Sequence, residues 1–178
     1  GDIIIPDTYN GLPVAQITAN GFRDRTDVTS VVFGSNVSSV GERAFSGCTA
    51  LTRVELKNVR EIGEFAFEKT ALSTVVVPNS VERISRGVFW QCESLTALTV
   101  PFIGERAADT ANVHFGYIFG ANGYAQNTYA PRSLVTVTVT GGTAVGLNAF
   151  TGCAYIKNIE LPRTITTVDA HAFDNTYI

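Results

Sequence analysis

Several residues that carry chemistry are scarce in this 178-residue sequence, which has no methionine, one tryptophan and two histidines. No apolar run approaches the roughly 18 residues that a membrane-spanning helix needs, and no charged-then-apolar leader opens the chain. We therefore predict that this segment does not insert into a membrane. Because residue 1 is Gly and the repeat pattern described below stops just before another strand would begin, we expect a piece of a longer protein.

Positive charge is scattered along the chain. Lys and Arg number 13 against 16 Asp and Glu, which gives a formal net charge of -3. A nucleic-acid partner requires a concentrated basic patch, so none is expected. His114 and His171 have no Cys or carboxylate at the spacing of a metal site, and no nucleophile with a base and an orienting group can be assembled. The sequence predicts no enzyme activity, catalytic residue, metal or cofactor.

Phenylalanine recurs along the chain at nearly constant intervals. The aligned positions are Phe22, Phe45, Phe67, Phe89, Phe119, Phe150 and Phe173. Subtraction gives steps of 23, 22, 22, 30, 31 and 23 residues. Steps of 22 to 23 are typical of leucine-rich repeats, in which one strand and a short return segment make a coil. We predict a single solenoid of about seven coils over 1–178, and the two long steps indicate an insertion at 101–133.

A strand-like run follows most of these phenylalanines after about six residues. Its first, fourth and sixth positions are apolar, as in Val28-Val31-Phe33, Leu51-Val54-Leu56, Leu72-Val75-Val77, Leu95-Leu98-Val100, Leu134-Val137-Val139 and Ile156-Ile159-Leu161. Alternation at the fourth and sixth positions has the period of a strand with one buried face. We expect these strands to stack in parallel, about 4.8 Å apart.

The return segments carry two apolar residues three positions apart, for example Val37 and Val40 or Val81 and Ile84. This spacing favours a tight turn or one 3₁₀ turn over a long helix. A small residue then precedes several of the aligned phenylalanines, as in Ala66-Phe67. It leaves room for the ring to reach the interior, so a ladder of buried phenylalanines is predicted.

Two motifs resemble the BspA-like leucine-rich repeat family. They are L-x-x-V-x-V-P-x-S-V-x-x-I from Leu72 to Ile84 and V-G-E-R-A-F-S-G-C from Val40 to Cys48. The resemblance implies a right-handed, β-rich solenoid with parallel strands and short return segments. It also implies a secreted or surface-anchored bacterial protein, and some members of the family adhere to host matrix proteins, plasma proteins or other cells.

The insertion is rich in aromatic residues and glycine. Long insertions in repeat proteins map to one face and often carry the binding function. We predict that Phe115, Ile118 and Phe119 are core residues of an enlarged coil. The remaining candidates for an exposed ligand-binding loop are Tyr124, Asn127, Tyr129 and Arg132.

The third and fifth positions of the strand runs form a second candidate surface. They are mostly short, neutral and β-branched, which suits a flat face that receives another protein, although threonine is equally a good strand former. The candidate binding residues on this face are Thr74, Val76, Thr99, Thr136 and Thr138.

The three cysteines, Cys48, Cys92 and Cys153, share one position in the repeat, three residues after an aligned phenylalanine. Each is two coils from the next, about 9 to 10 Å at the strand spacing. A disulfide requires Cα atoms within roughly 7 Å. We therefore predict buried, unpaired thiols.

Together these features predict an extracellular or cell-surface, non-enzymatic binding module. Its ligand would be a protein or glycan, including host matrix or plasma proteins, bound by the solenoid face and the aromatic insertion. The alternative is a structural spacer that presents other domains of a longer chain. In either case an open sheet edge could mediate self-association.

Overall fold

Short strands stack in parallel along the chain, in a computed structural model that describes residues 1–107 and 112–178. In chain order the strands are β1 (Asp2–Ile4), β2 (Thr8–Tyr9), β3 (Leu12–Pro13), β4 (Gln16–Ile17), β5 (Ser30–Val32), β6 (Ser39–Val40), β7 (Arg53–Glu55), β8 (Glu61–Ile62), β9 (Thr74–Val76), β10 (Arg83–Ile84), β11 (Ala97–Val100), β12 (Thr136–Val139), β13 (Ala144–Val145), β14 (Asn158–Glu160) and β15 (Thr167–Val168). One row comprises β1, β5, β7, β9, β11, β12 and β14, and we call it the main row. Strands β2 and β3 form a small antiparallel hairpin.

The strands of the main row pair in the register that the repeat predicts. Val31 of β5 is the partner of Val54 in β7. Leu98 of β11 is the partner of Val75 in β9 and of Val137 in β12. These residues all occupy the fourth position of the run and are buried. The prediction of a parallel, strand-rich solenoid is confirmed.

A second row of parallel strands runs through the return segments. Strands β4, β6, β8 and β10 are neighbours in that order, and β13 pairs with β15. In five of these two-residue strands the second residue is buried: Ile17, Val40, Ile62, Ile84 and Val145. The sequence predicted only turns here, because two residues are too few to show an alternating pattern.

The predicted phenylalanine ladder is present. Ring centroids of consecutive members lie 5.0 Å apart for Phe22 and Phe45, 5.4 Å for Phe45 and Phe67, and 6.1 Å for Phe67 and Phe89. The insertion supplies two rings to the stack. Phe119 lies 6.5 Å from Phe89, and Phe115 lies 5.1 Å from Phe150. The insertion therefore continues the aromatic core.

Backbone with positive φ flanks the ladder at fixed positions. It occurs two residues before a ladder phenylalanine at Asn20, Arg43, Phe65, Gly87, Asn148 and His171. It occurs two residues after one at Asp24, Gly47, Lys69, Gln91, Gly152 and Asn175. For a non-glycine residue this conformation costs about 1 to 2 kcal/mol. The repeated turns therefore impose the same sharp reversal on every coil, even where the side chain is as large as that of Phe65.

The main row is interrupted between β7 and β9. These strands belong to separate sheets, of order β1-β5-β7 and β9-β11-β12-β14, and no backbone hydrogen bond joins them in the described part of the chain. By subtraction, the coil from Leu51 to Leu72 is 21 residues long, against 23 for the coil from Val28 to Leu51. One residue is missing at 57–58, just after β7, and another between 67 and 72, just before β9. The second row lies outside both shortened connections and continues unbroken through β6, β8 and β10.

The chain between β11 and β12 contains two 3₁₀ helices, Phe115–Phe119 and Tyr124–Tyr129. Every residue of the first helix is buried, which confirms the predicted core positions. This helix is bonded to the coils on both sides, since the Phe89 amide donates to the Ile118 carbonyl at 2.9 Å and the Phe115 amide donates to the Ala149 carbonyl at 2.8 Å. Neither helix, nor any other in the described ranges, is long and apolar enough to cross a membrane.

Glu105 fastens the start of the insertion to β10. Its Oε1 accepts a hydrogen bond from Arg83 Nε at 2.9 Å. Its Oε2 accepts from Asn112 Nδ2 at 2.8 Å and from the Tyr117 hydroxyl at 3.0 Å. Burial alone would raise the pKa of this carboxyl, but the three hydrogen bonds outweigh it and lower the pKa. Glu105 is therefore held in its charged form at neutral pH.

Candidate functional site

An open cleft of about 340 Å³ lies where the end of the insertion meets the preceding coil. Its lining residues are Trp90, Gln91, Glu93, Thr128, Tyr129, Ala130, Pro131 and Arg132. We call it the aromatic cleft. The insertion contributes two predicted site residues, Tyr129 and Arg132. The coil contributes Trp90, which is 37% exposed, and Tyr129 is 46% exposed.

Trp90 is held by a lateral stack of side chains from three consecutive coils. Its ring centroid lies 5.4 Å from that of Phe65, and the guanidinium of Arg43 lies 4.8 Å from the Phe65 centroid on the other coil neighbour. Arg86 also lies over Phe65, at 5.6 Å. Gly87 makes room for this ring, because a Cβ at that position would lie 2.4 Å from Phe65 Cε1. The indole is thus supported from behind by packed aromatic and cationic groups.

The insertion side of the aromatic cleft is held by a chain of hydrogen bonds. Arg86 Nη1 donates to Asn122 Oδ1 at 2.7 Å, and the Asn122 amide donates to Gln126 Oε1 at 2.8 Å. Gln126 Nε2 in turn donates to the Tyr129 hydroxyl at 3.2 Å. Arg132 lies 5.2 Å from the ring centroid of Tyr155. Both Tyr129 and Arg132 therefore have a defined orientation without a bound ligand.

A second shallow groove of about 490 Å³ adjoins the aromatic cleft. Its lining residues are Thr49, Lys69, Thr70, Ala71, Gln91, Glu93 and Ser94. Gln91 and Glu93 line both depressions. They therefore form one continuous surface, which we call the rim groove, along the turns that precede β7, β9, β11 and β12.

The structure corrects one predicted site residue. Asn127 was expected on the exposed part of the loop, but its side chain is completely buried. Its Oδ1 accepts a hydrogen bond from the Gly116 amide at 2.7 Å, and its Nδ2 donates to the carbonyls of Asn148, Ala149 and Thr151 at 3.0 to 3.2 Å. Asn127 joins the two helices of the insertion to the next coil, because a buried amide must bond with all its polar atoms. It cannot contact a ligand.

Tyr124 is exposed as expected, at 50%, but it does not line the aromatic cleft. It belongs to the same 3₁₀ helix as Tyr129. The structure thus brings together two of the four predicted insertion residues and separates the other two from them.

The predicted sheet-face residues form two groups. Ala97 in β11 separates Thr74 from Thr136, and Thr99 lies between Val76 and Thr138 across the same strands. Thr74 and Val76 also line an open groove of about 590 Å³ at the interruption between β7 and β9. Val76 is 59% exposed there. Only these two of the five residues border a concave surface at the break in the main row.

The titratable groups do not form a reactive constellation. Cys48, Cys92 and Cys153 are buried, as the repeat predicted. Burial raises the pKa of Cys92 to about 11 and that of Cys153 to about 12, so both thiols are protonated at neutral pH. A nucleophilic cysteine requires a lowered pKa. In the described ranges no three His, Cys, Asp or Glu side chains are grouped so that they could hold a metal ion.

His114 is the exception among the buried polar groups. It is buried beside Tyr117, with the two ring centroids 6.1 Å apart. Neither ring nitrogen has a hydrogen-bond partner within the described residues. Burial lowers the pKa of His114. The neutral form is therefore favoured in the folded protein.

Sequence reasoning missed Trp90, Gln91 and Glu93. They follow a ladder phenylalanine directly and so were assigned to an ordinary turn of the repeat. A signal was available, since Trp90 is the single tryptophan of the chain and stands immediately before the first long step between phenylalanines.

Parallel strands stacked coil upon coil, with a recognition surface at the turns and no assembled catalytic group in the described residues, define a leucine-rich-repeat solenoid. Residues 15–109 and 125–178 match the BspA type leucine-rich repeat region, in six copies. The chain belongs to this family. Proteins with curated descriptions include no match to its sequence.

Solved structures of bacterial repeat proteins resemble the fold. A leucine-rich repeat protein of Treponema pallidum is 24% identical, with a TM-score of 0.67 over 94% of this chain and 72% of that chain. A leucine-rich cell surface protein of Faecalibacterium prausnitzii is 21% identical, with a TM-score of 0.41 over 94% of this chain and 65% of that one. The pneumococcal vaccine antigen PcpA is 14% identical, with a TM-score of 0.49 over 98% and 38%. At these identities the likeness to the treponemal protein concerns the fold alone.

Proposed function

We propose that this solenoid is a non-enzymatic recognition module of an extracellular or cell-surface protein, and that it binds a protein or glycan. Its family favours this location, because the resemblance is to proteins of bacterial surfaces. The protonated thiols and the absence of a metal-binding group in the described ranges support a binding role over a catalytic one.

The observation that carries the proposal is the division of labour within the insertion. Phe115 and Phe119 are buried in the phenylalanine ladder, and Asn127 fixes the insertion to the following coil. Tyr129 and Arg132 remain exposed in the aromatic cleft. A rigid aromatic side chain contributes contact area at a low entropic cost, and such residues are typical of recognition surfaces.

The proposal can be tested by binding of the purified chain to immobilised matrix proteins, plasma proteins and glycans. Tyr129→Ala should reduce binding of any ligand found, because it removes one wall of the aromatic cleft. Tyr124→Ala is the matched control, since it removes a tyrosine of similar exposure from the same helix but outside the cleft. If no member of the panel binds, the spacer role is favoured. Equal effects of the two substitutions would contradict the assignment to the cleft.

A further inference from the structure

The rim groove runs across several coils and is longer than the aromatic cleft alone. It passes from Thr49 through Lys69 and Glu93 to Arg132, which lie in the turns of four successive coils. Three steps at the strand spacing of about 4.8 Å give a length of roughly 14 Å. Such a surface suits an extended chain better than a single compact molecule.

Two aromatic rings stand at one end of the rim groove. Trp90 and Tyr129 are each between a third and a half exposed, and both are held by contacts within the chain. A sugar ring presents an apolar face of C–H groups and an edge of hydroxyl groups. Stacking that face on an aromatic ring removes apolar area from water, while the hydroxyl edge stays available for hydrogen bonds.

The rest of the rim groove is lined by side chains that bond hydroxyl groups. Gln91 supplies an amide donor and acceptor, and Glu93 supplies a carboxylate acceptor. Neither side chain forms a hydrogen bond to another residue in the described part of the chain. Lys69 and Arg132 lie at separate points of the groove, so cationic and anionic groups alternate along it. This mixed charge favours a neutral ligand over a polyanion.

The backbone of the rim groove argues against an added peptide strand. Its turns are already bonded from coil to coil, as shown by the Lys69 amide, which donates to the Trp90 carbonyl at 2.9 Å. Within the turn, the Cys92 amide donates to the Phe89 carbonyl at 3.2 Å. Strand addition requires a row of free backbone groups. Recognition here would depend on side chains.

We propose that the rim groove binds a neutral oligosaccharide chain, with Trp90 and Tyr129 stacking on sugar rings and with Gln91 and Glu93 bonding hydroxyl groups. This inference rests on the proposed recognition function and names its ligand class. It assigns the first role to Trp90, Gln91 and Glu93, which lie outside the insertion.

Because Trp90 is the only tryptophan, its fluorescence reports directly on the site. The chain should first be screened against arrays of neutral and anionic glycans. The neutral oligosaccharide with the strongest signal should then be titrated against the chain, with fluorescence and calorimetry as readouts. Stacking should shift the Trp90 emission to shorter wavelength, and binding should change little between low and high salt, because no net charge is neutralised.

Variants separate the proposed contacts from general effects on folding. Tyr129→Ala and Gln91→Gly should each weaken oligosaccharide binding at least tenfold, and glycine suits the positive φ of residue 91. Glu93→Ala should weaken binding while preserving the fold, because this side chain is exposed. Tyr124→Ala should leave affinity unchanged. Circular dichroism of each variant separates lost contacts from lost structure.

Several outcomes would overturn the inference. Binding only to anionic glycans, with a steep salt dependence, would exclude the neutral ligand. Binding to a neutral oligosaccharide without a change in Trp90 fluorescence, or without sensitivity to Tyr129→Ala and Gln91→Gly, would place that ligand elsewhere. A protein ligand that depends on Tyr129, with no oligosaccharide bound, would refute the glycan inference while the proposed recognition function would stand.

Discussion

Replacement of Asn127 by alanine tests how the insertion is attached to the solenoid. The side chain is completely buried and bonds in two directions, to the Gly116 amide through Oδ1 and to three carbonyls of the next coil through Nδ2. Alanine removes these bonds without blocking either helix. The substitution therefore measures the polar attachment of the insertion separately from its apolar core.

The expected loss follows from which partners are left without a bond. The Ala149 and Asn148 carbonyls also accept backbone hydrogen bonds, from Phe115 and Thr151 respectively, so they remain paired. The Gly116 amide and the Thr151 carbonyl lose the bonds that Asn127 supplies. At about 1 to 2 kcal/mol for each such group, within the usual range of about 1 to 3 kcal/mol, the free energy of unfolding should fall by about 2 to 4 kcal/mol.

Asn127→Asp provides a comparison with a defined pH dependence. It keeps an acceptor for the Gly116 amide but turns a second oxygen towards the carbonyls of the next coil. The buried, repelled carboxylate should have a pKa above the usual value of about 3.9. An acid with a raised pKa in the folded state is favourable below its unfolded pKa and loses that stability as pH rises. Relative to the parent chain, the aspartate variant should therefore be more destabilised at pH 7 than at pH 4.

Urea unfolding followed by circular dichroism and by Trp90 fluorescence gives these free energies. Thr128→Ala is a suitable control, since residue 128 is the exposed neighbour in the same helix. A loss below about 0.5 kcal/mol for Asn127→Ala, equal to an ordinary surface substitution, would refute the inferred role of the side chain. A pH-independent difference between the aspartate variant and the parent would refute the arrangement of carbonyls around Nδ2.

Three further predictions address the core, the interrupted sheet and the buried histidine. Phe67→Ala should lower the free energy of unfolding by about 3 to 5 kcal/mol because it removes a fully buried ring, whereas Thr99→Ala should cost well under 1 kcal/mol; equal losses in urea unfolding would contradict the ladder. The Val54 amide should exchange its hydrogen faster than the Val31 amide, because alternate residues of a parallel strand bond to opposite neighbours and Val54 therefore faces the interruption; equal protection by NMR would show that β7 and β9 are bonded. Burial lowers the pKa of His114, so its contribution to stability is complete above about pH 6.5 and is lost as pH falls through the lowered folded-state value; His114→Leu should remove this component from the pH profile, and an unchanged profile would contradict it.

The main strands and the phenylalanine ladder could be predicted because each coil repeats the same pattern. Val31, Val54 and Val75 occupy one position of the run, and six or seven copies make an alternation visible that a three-residue strand alone could not show. The second row escaped this reasoning, since its strands have two residues each. Its buried members, such as Ile62, were recognised as apolar but not as bonded to neighbouring coils.

The candidate site was predicted less well, because a repeat pattern says where a residue lies in a coil but not what lies across from it. Asn127 resembles an ordinary loop residue in sequence, and only its four hydrogen-bond partners from distant segments reveal that it is buried. Trp90 has the opposite character. Its position after Phe89 indicates a turn, and its role depends on Tyr129, which the folded insertion brings beside it.

The interruption of the main row was also present in the sequence, as a difference of two residues in one coil. A period measured between phenylalanines does not reveal it, because the step from Phe45 to Phe67 is the same as that from Phe67 to Phe89. The shortening becomes visible only when the coil is measured from strand to strand, between Leu51 and Leu72. Because the phenylalanines stack on the side where the second row remains continuous, the core tolerates the shorter coil and the whole change falls on β7 and β9. A coil of this fold can therefore lose residues next to the main strand and open a groove there, while its aromatic stack stays intact.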